Sequence, residues 1–543
     1  MSAVAAILLP LTLMLLFPAP DRFRRIAIGL TPWSGVLLFW PLVDQPSVTF
    51  SWPLVGVTLG VDSINRPLIL LTALAWNLSA WFAWNTIERD RRWFWSGWLG
   101  ALAGMSLLLL AGDIASFYVG YALLSLSAYL LITHEHNAQA WRAARMYLIM
   151  AFAGEAAILT GILLLAGSIG NVEFSHLGDH ASVLLDSPAR WFLLAGFAVK
   201  MGIMPLHMWL PLAHPVAPVP ASAILSGVIV KAGLLGWLRF VPAFQEDPAW
   251  VAWLLMGFGL STAFLGVFFG LFQQRIKTLL AYSTISQMGL ILTAFGLTFL
   301  APDARPALLV IIGLMALHHG LNKTALFLAC GSALTIGRVA RVLFALPALS
   351  LAAFPLSSGY LAKNALKDAL PGAVHEPLMS FVLALTSTAT ALLMWRAWHL
   401  AAGIKTRNPT LQPAWLLVVA ASLLVPWGWA LAHDLASWPQ SYLLWSATWP
   451  LLLALLLITI RHQRGWQAAI EIPEGDLVVW LERFAGRLPG LTVPADEARR
   501  KPSDVLRRWR RYQGWYEKQQ RTIQATGLAS LLLIGLIWLL FWL

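Results

Sequence analysis

Four lysines stand in stretches that are otherwise apolar: Lys200 in LAGFAVKMGIMP, Lys231 in SGVIVKAGLL, Lys323 in HHGLNKTALF and Lys363 in SSGYLAKNAL. Glu155 sits in the same way inside AFAGEAAILTG. An ionisable group inside a membrane span is costly, so each is a functional candidate by default. A lysine in apolar surroundings gives up its charge readily, and a nearby carboxylate restores it. Such a group can change protonation state when its neighbour moves, which is what a proton relay needs. His319 and Lys323 are four residues apart and share a helix face, as do Lys363 and Lys367. For Glu155, a relay partner and a mere helix contact both remain open. His207 and His214 are likewise open between relay and packing, while His318 is expected to pack. Lys277 and Lys367 stand near span ends, where a lysine can snorkel to the surface.

The stretch from Lys200 to Lys231 carries Pro205, Pro211, Pro215, Pro218 and Pro220. Proline removes a backbone donor and breaks a continuous helix. Broken backbone at membrane depth survives only where it is buried in protein or lines a wet cavity. A discontinuous helix beside a polar interior is therefore expected after Lys200. Pro347 and Pro355 predict a second break just before Lys363. Two broken helices, each with an intramembrane lysine, suggest an internal repeat of the kind transporters use.

The elements that must position these groups are membrane helices. Of 543 residues 59% are hydrophobic and 11% charged, and the mean hydropathy is +0.71. That excludes an ordinary soluble globule. The apolar runs are about 20 residues long, which spans a bilayer and argues against a β-barrel. Counting them gives an all-α polytopic protein with about 16 transmembrane helices. The stretch up to Phe17 lacks a basic leader and a small-residue cleavage signal, and reads as a first span. Cys330 is the only cysteine, so neither a disulfide framework nor a cysteine metal site is expected. No dinucleotide-binding glycine pattern, haem motif or iron–sulfur cysteine set is visible, so no cofactor is expected, and any redox chemistry would lie in partner chains. The tryptophans read as interfacial belt and lipid-facing filler.

Charge alternates between loops. DRFRR (21–25), ERDRR (88–92), HEHNAQAWRAAR (134–145) and GRVAR (337–341) fall after odd-numbered spans, whereas Asp44, Glu173, Asp179, Glu246 and Glu376 mark the other side. The positive-inside rule places the basic loops in the cytoplasm and both termini on the periplasmic side of a bacterial inner membrane. The net charge of +12 therefore reflects orientation, and no nucleic-acid partner is expected. The segment 461–523 is polar, basic and cut by prolines, with amphipathic pieces near 475–487 and 503–523. It either lies along the membrane face or a partner subunit, or is a solvated basic loop drawn to anionic lipid.

KMGIMPLHMWLPLAHPVAPVPASAILSGVIVK (200–231) resembles the signature of the antiporter-like subunits of respiratory complex I, of Mrp-type antiporters and of energy-converting hydrogenases. KTLLAYSTISQMG (277–289) and HGLNKTALFLACGSAL (319–334) are similar to two further motifs of that family, in the same order. The resemblance covers roughly 60–400 and implies two inverted five-helix repeats, each with a broken helix. The implied division is 1–92 for three N-terminal helices, 93–245 and 246–402 for the repeats, and 403–460 for two more helices. A cytoplasmic lateral segment (461–523) and a last span (524–543) follow, the layout of the distal complex I subunit.

Carried over residue by residue, the resemblance makes Lys200 the central proton site of the first half-channel and Lys231 the connecting lysine, with His207 and His214 nearby. His319 and Lys323 link toward the second half, and Lys363 stands near the outer exit; Ser283 is a polar lining candidate. The chain departs from the pattern at Ala122, where a glutamate belongs, at Leu212, where an aspartate belongs, and at AAFPLSSGY (352–360), which lacks the usual Gly-Leu-Pro-Pro. Glu155 is the replacement partner for Lys200. The expected function is proton translocation through this row, within a multi-subunit membrane complex. The alternatives are a sodium/proton antiporter, the proton channel of an inorganic-carbon uptake complex, and an anchor that no longer conducts.

Overall fold

A computed structural model describes residues 2–17, 21–44, 47–51, 56–169, 173–181, 187–240, 248–332, 337–372, 374–403, 411–435, 441–464 and 472–479. The expected last span, 524–543, and most of the segment before it lie outside these residues. The chain divides into a unit Met1–Asp476 and a unit Leu477–Leu543. Of the second, only residues 477–479 are described, in helical conformation.

The first unit is helical except for one hairpin. After α1 (Ser2–Leu15), α2 (Asp21–Leu30) runs through a 3-10 stretch into α3 (Phe39–Asp44). Strands β1 (Ser47–Phe50) and β2 (Val57–Gly60) pair antiparallel, Ser47 opposite Gly60. Then come α4 (Arg66–Thr86), α5 (Arg91–Leu110), α6 (Ile114–Ile132) and α7 (Ala138–Ile169). The first interrupted span is α8 (Ala189–Met201) and α9 (Trp209–Val216). Helix α10 (Val219–Ile224) continues through a π-turn over Leu225–Ile229 into α11 (Lys231–Phe240). Helices α12 (Ala249–Leu271), α13 (Ile276–Leu300) and α14 (Arg305–Ala329) precede the second interrupted span, α15 (Arg338–Leu351) and α16 (Ser358–Asp368). Helices α17 (Glu376–Ala401), α18 (Pro413–Ala432) and α19 (Ser441–Gln463) complete the described set.

Among the described residues, 12 helical stretches are long and apolar enough to cross a membrane. Helix α1 and the two interrupted spans fall outside that criterion because they are short or divided. The protein is thus a polytopic helical membrane protein. Successive spans reverse direction, so the hairpin and the loops with Asp113 and Glu173 share one end of the bundle. There Asp113 caps α6 by accepting from Ser116 N (2.7 Å) and also accepts from Thr58 N (2.9 Å), while the Thr58 hydroxyl donates to Glu173 (2.8 Å). Arg239 pairs with Asp62 at the same end.

With no water to satisfy free backbone groups at membrane depth, each break must supply its own partners. At the first, Gly202 takes φ +72, and Gly202 N and Ile203 N return to the carbonyls of Val199 and Ala198. Trp209 donates to Val199 O (2.8 Å). At the far end of α9, Arg275 donates to Pro215 O (3.1 Å) and Lys277 to Ala217 O (2.5 Å). Lys277 is thus a cap on a helix C-terminus, where a cation is favoured, and its role is more specific than snorkelling. At the second break the chain takes φ +60 at Ala353 and +65 at Leu356, on either side of Pro355. Non-glycine residues in this region are strained by about 1–3 kcal/mol each, and the surrounding helices hold them there.

Several tryptophans contradict the belt expectation: Trp76, Trp95, Trp98, Trp209 and Trp415 are fully buried in the bundle. Close helix crossings lie beside the key lysines. A side chain on Gly154 would meet the Gly196 carbonyl at 3.2 Å, bringing α7 and α8 together next to Glu155 and Lys200. A side chain on Gly227 would meet the Gly320 carbonyl at 3.0 Å, which sets the π-turn against α14 next to Lys231 and His319. Small residues at such crossings are what let membrane helices approach closely.

Candidate functional site: a row of buried lysines

Lys200 lies in the last turn of α8, buried, just before the break. Its Nζ donates to Ser125 Oγ (2.5 Å) on α6 and to the Tyr147 hydroxyl (3.4 Å) on α7. It also lies 5.1 Å from the Tyr121 ring centre and 5.5 Å from that of Tyr147, within cation–π range. Tyr147 donates onward to Ser125 O (3.0 Å). The Ser125 hydroxyl donates to the Tyr121 carbonyl at 3.1 Å. Glu155, on α7, lies within electrostatic reach of Lys200. Glu155 Oε1 is buried without a hydrogen-bond partner among the described residues. A small cavity lined by Tyr121, Tyr147, Lys200 and Trp209 adjoins the group.

Lys231 is fully buried at the start of α11. The π-turn before it has a direct consequence. Val230 N bonds Leu225 O, five residues back, so Ser226 O is spared from the helix ladder. Lys231 Nζ takes that carbonyl at 2.9 Å and meets His319 Nδ1 at 2.8 Å. An ammonium donates to an unprotonated Nδ1, and a neutral amine accepts from a protonated one, so this contact can carry a proton either way. His319 Nε2 has no hydrogen-bond partner among the described residues.

One turn along α14, Lys323 is fully buried and donates to Leu280 O (2.9 Å). Thr284 shares that carbonyl at 3.0 Å and bonds Ser226 at 2.6 Å, so polar contacts join the Lys231 and Lys323 sites. His214 stacks on Phe327, ring centres 4.6 Å apart, within electrostatic reach of Lys323. Both its ring nitrogens lack hydrogen-bond partners among the described residues.

Beyond the second break, Lys363 donates to Thr386 (2.9 Å) and Ser387 (2.6 Å) on α17. His318, expected to pack, instead bonds Ser358 at the first turn of α16 (2.8 Å), and Ser358 meets Ser350 across the break (2.8 Å). A cavity touching His318, Gln287 and Lys363 lies between them.

The structure therefore brings Lys231 and His319 into direct contact, sets Glu155 within electrostatic reach of Lys200, and places Lys323 one turn from His319. It does not pair His207 with Lys231. His207 instead bonds Asp476, at 2.9 Å. Ser283 is buried on α13, and its hydroxyl has no hydrogen-bond partner among the described residues. Sequence reasoning missed Ser125, Tyr147, Thr386, Ser387 and Asp476.

Three comparisons bear on this arrangement. Hydrogenase-4 component B of Escherichia coli is 33% identical over 291 residues, which is 51% of this chain but only 43% of that protein. NAD(P)H-quinone oxidoreductase chain 4-2 of Synechocystis is 31% identical over 400 residues, 66% of this chain and 69% of that protein. The fold matches the Mrp complex from Dietzia with a TM-score of 0.72 at 23% identity, over 95% of this chain and 59% of that one. Residues 111–393 match the family described as NADH:quinone oxidoreductase/Mrp antiporter, transmembrane, and both interrupted spans and all the buried lysines described above fall within them. The chain belongs to that NADH:quinone oxidoreductase/Mrp antiporter transmembrane family.

Proposed function

We propose that the chain moves protons across a bacterial inner membrane as one subunit of a larger membrane complex. The observation that carries this reading is the way the lysines are held. Lys231, Lys323 and Lys363 are buried against carbonyls, hydroxyls and one imidazole. A buried structural charge is held by an opposite charge. A hydroxyl or an imidazole serves an amine in either protonation state, which is what a transfer site requires.

The order is Lys200, then Lys231 with His319, then Lys323, then Lys363. Glu155 replaces the acid missing at Ala122 and acts on Lys200 through the electrostatic field between them. When the carboxylate is close and ionised it stabilises charge on Lys200; when the pairing loosens, Lys200 releases its proton along the row. The reading takes 93–245 and 246–402 as two inverted five-helix halves and places the basic loops in the cytoplasm and the termini in the periplasm. Proton transport is favoured over sodium because a sodium site needs several oxygen ligands of carboxylate or carbonyl type, and this row consists of amines and imidazoles.

The test has two parts. Purification in mild detergent, with every accompanying chain identified, shows the complex: redox-type partners are expected, and isolation without any partner contradicts the subunit reading. Reconstitution of that assembly in liposomes, with an imposed potassium diffusion potential and a trapped pH dye, tests transport. Wild type should acidify or alkalinise the lumen and Lys231→Ala should not. Equal flux from the variant would remove Lys231 from the path.

A further inference from the structure

Residues 472–476 follow α19 and lie outside the region that matches the family. They fold back onto the first broken helix. Ile472 O accepts from Gln273 (3.3 Å), Glu474 accepts from Thr278 (2.8 Å) and pairs with Arg275 (3.3 Å), and Asp476 N bonds Pro473 O (2.9 Å). Gly475 takes φ +83 and lies so close that a side chain on it would meet Leu212 at 2.8 Å. The strap thereby buries Asp476, whose Oδ2 lies 2.9 Å from His207 Nε2 and accepts from the Tyr282 hydroxyl at 2.7 Å. The two side chains are 2% and 4% exposed, while Glu474, two residues away, is 32% exposed and reaches water. His207 Nδ1 faces the interior, buried, with no hydrogen-bond partner among the described residues.

We infer that Asp476 is a working carboxylate of the first half-channel, delivered to His207 by a strap that packs on Leu212 of the broken helix. The inference rests on the proton-relay reading above. Asp476 gives its proton to His207 Nε2 as the ring releases the proton on Nδ1, the carboxylate is reloaded from the Glu474 side, and the ring returns to its starting tautomer before the next transfer. One proton is taken up and one released, and Tyr282 holds the carboxylate in register throughout. A buried charge pair serving only to fasten the strap would leave the orphaned Nδ1 without a purpose.

The experiment measures proton flux in the reconstituted assembly for wild type, Asp476→Asn, Asp476→Glu and the double variant Asp476→Asn with Leu212→Asp. Asp476→Asn should lower the flux by about 100-fold or more, the lower end of the range for removing a general acid–base group. The double variant should recover to within about 3-fold of Asp476→Glu, because Leu212 packs on the strap at Gly475, the neighbour of Asp476, and a carboxylate there enters the same region from the helix side. Unchanged flux in Asp476→Asn overturns the inference and leaves the relay reading standing. A loss that neither Asp476→Glu nor Leu212→Asp restores, in an intact assembly, makes the strap scaffolding and also overturns it. A wild-type assembly that moves no protons overturns the relay reading and this inference with it.

Discussion

At the first interrupted span Lys200 is held by Ser125 and Tyr147, with Glu155 within electrostatic reach and Asp476 at His207 nearby. At the second, Lys363 is held by Thr386 and Ser387, and its charged neighbour is another cation, Lys367. Both breaks occur at membrane depth and both solve the backbone problem with side chains. They differ in the company of the lysine. The first site has a carboxylate whose pairing can be made or broken, so its charge can be switched by a small movement. The second has only hydroxyls, which accept from an ammonium or donate to an amine without rearrangement. On the relay reading, the first site is the one that can be triggered and the second the one that receives and releases.

The comparison makes graded predictions for flux in the reconstituted assembly. After Lys200→Ala and Lys231→Ala, the largest effect is expected at Lys363. Lys363→Ala should lower flux by about 100-fold or more, because no other amine stands at that site. A milder loss would mean that Lys367 substitutes for it. Glu155→Gln keeps the shape but removes the charge that can be switched, and a fall of about 10–100-fold is expected. If flux is unaffected, the two halves do not differ in the way described. Ser125→Ala removes the hydroxyl that accepts from Lys200. Hydrogen bonds to charged groups contribute about 1.5–3 kcal/mol, so a fall of about 10-fold should appear. Thr386→Val should cost only a few-fold, since Ser387 still holds Lys363; a loss as large as that of Lys363→Ala would mean that Thr386 carries the proton itself. Gly227→Ala tests the crossing that positions Lys231. Its side chain would press on the Gly320 carbonyl and on Thr324, and a stability loss of about 1–3 kcal/mol should show as a lower unfolding temperature in detergent.

Much of the row was readable from sequence because a lysine inside an apolar run stands out. The breaks were readable too, since proline in a span has few other meanings. The partners were not. Ser125, Thr386 and Ser387 look like the many other hydroxyl residues of membrane helices, and only the crossing geometry selects them. The π-turn before Lys231 has no sequence signal, yet it supplies the carbonyl that holds the lysine. His318 was read as packing because His319 beside it carried the motif, but the α14 face it occupies looks onto the second break. Asp476 was the least visible. It lies 269 residues from His207, in a segment that reads either as lying along the membrane face or a partner subunit or as a solvated basic loop, and nothing local marks an acid that folds back into the bundle.

The most direct test of the central claim is Lys200→Ala in the reconstituted assembly, with assembly verified by the co-purifying chains and flux read by the trapped dye. The account predicts an intact complex with flux at the background of empty liposomes. Wild-type flux from that variant would contradict it, because the proton path would then not pass through the buried lysines.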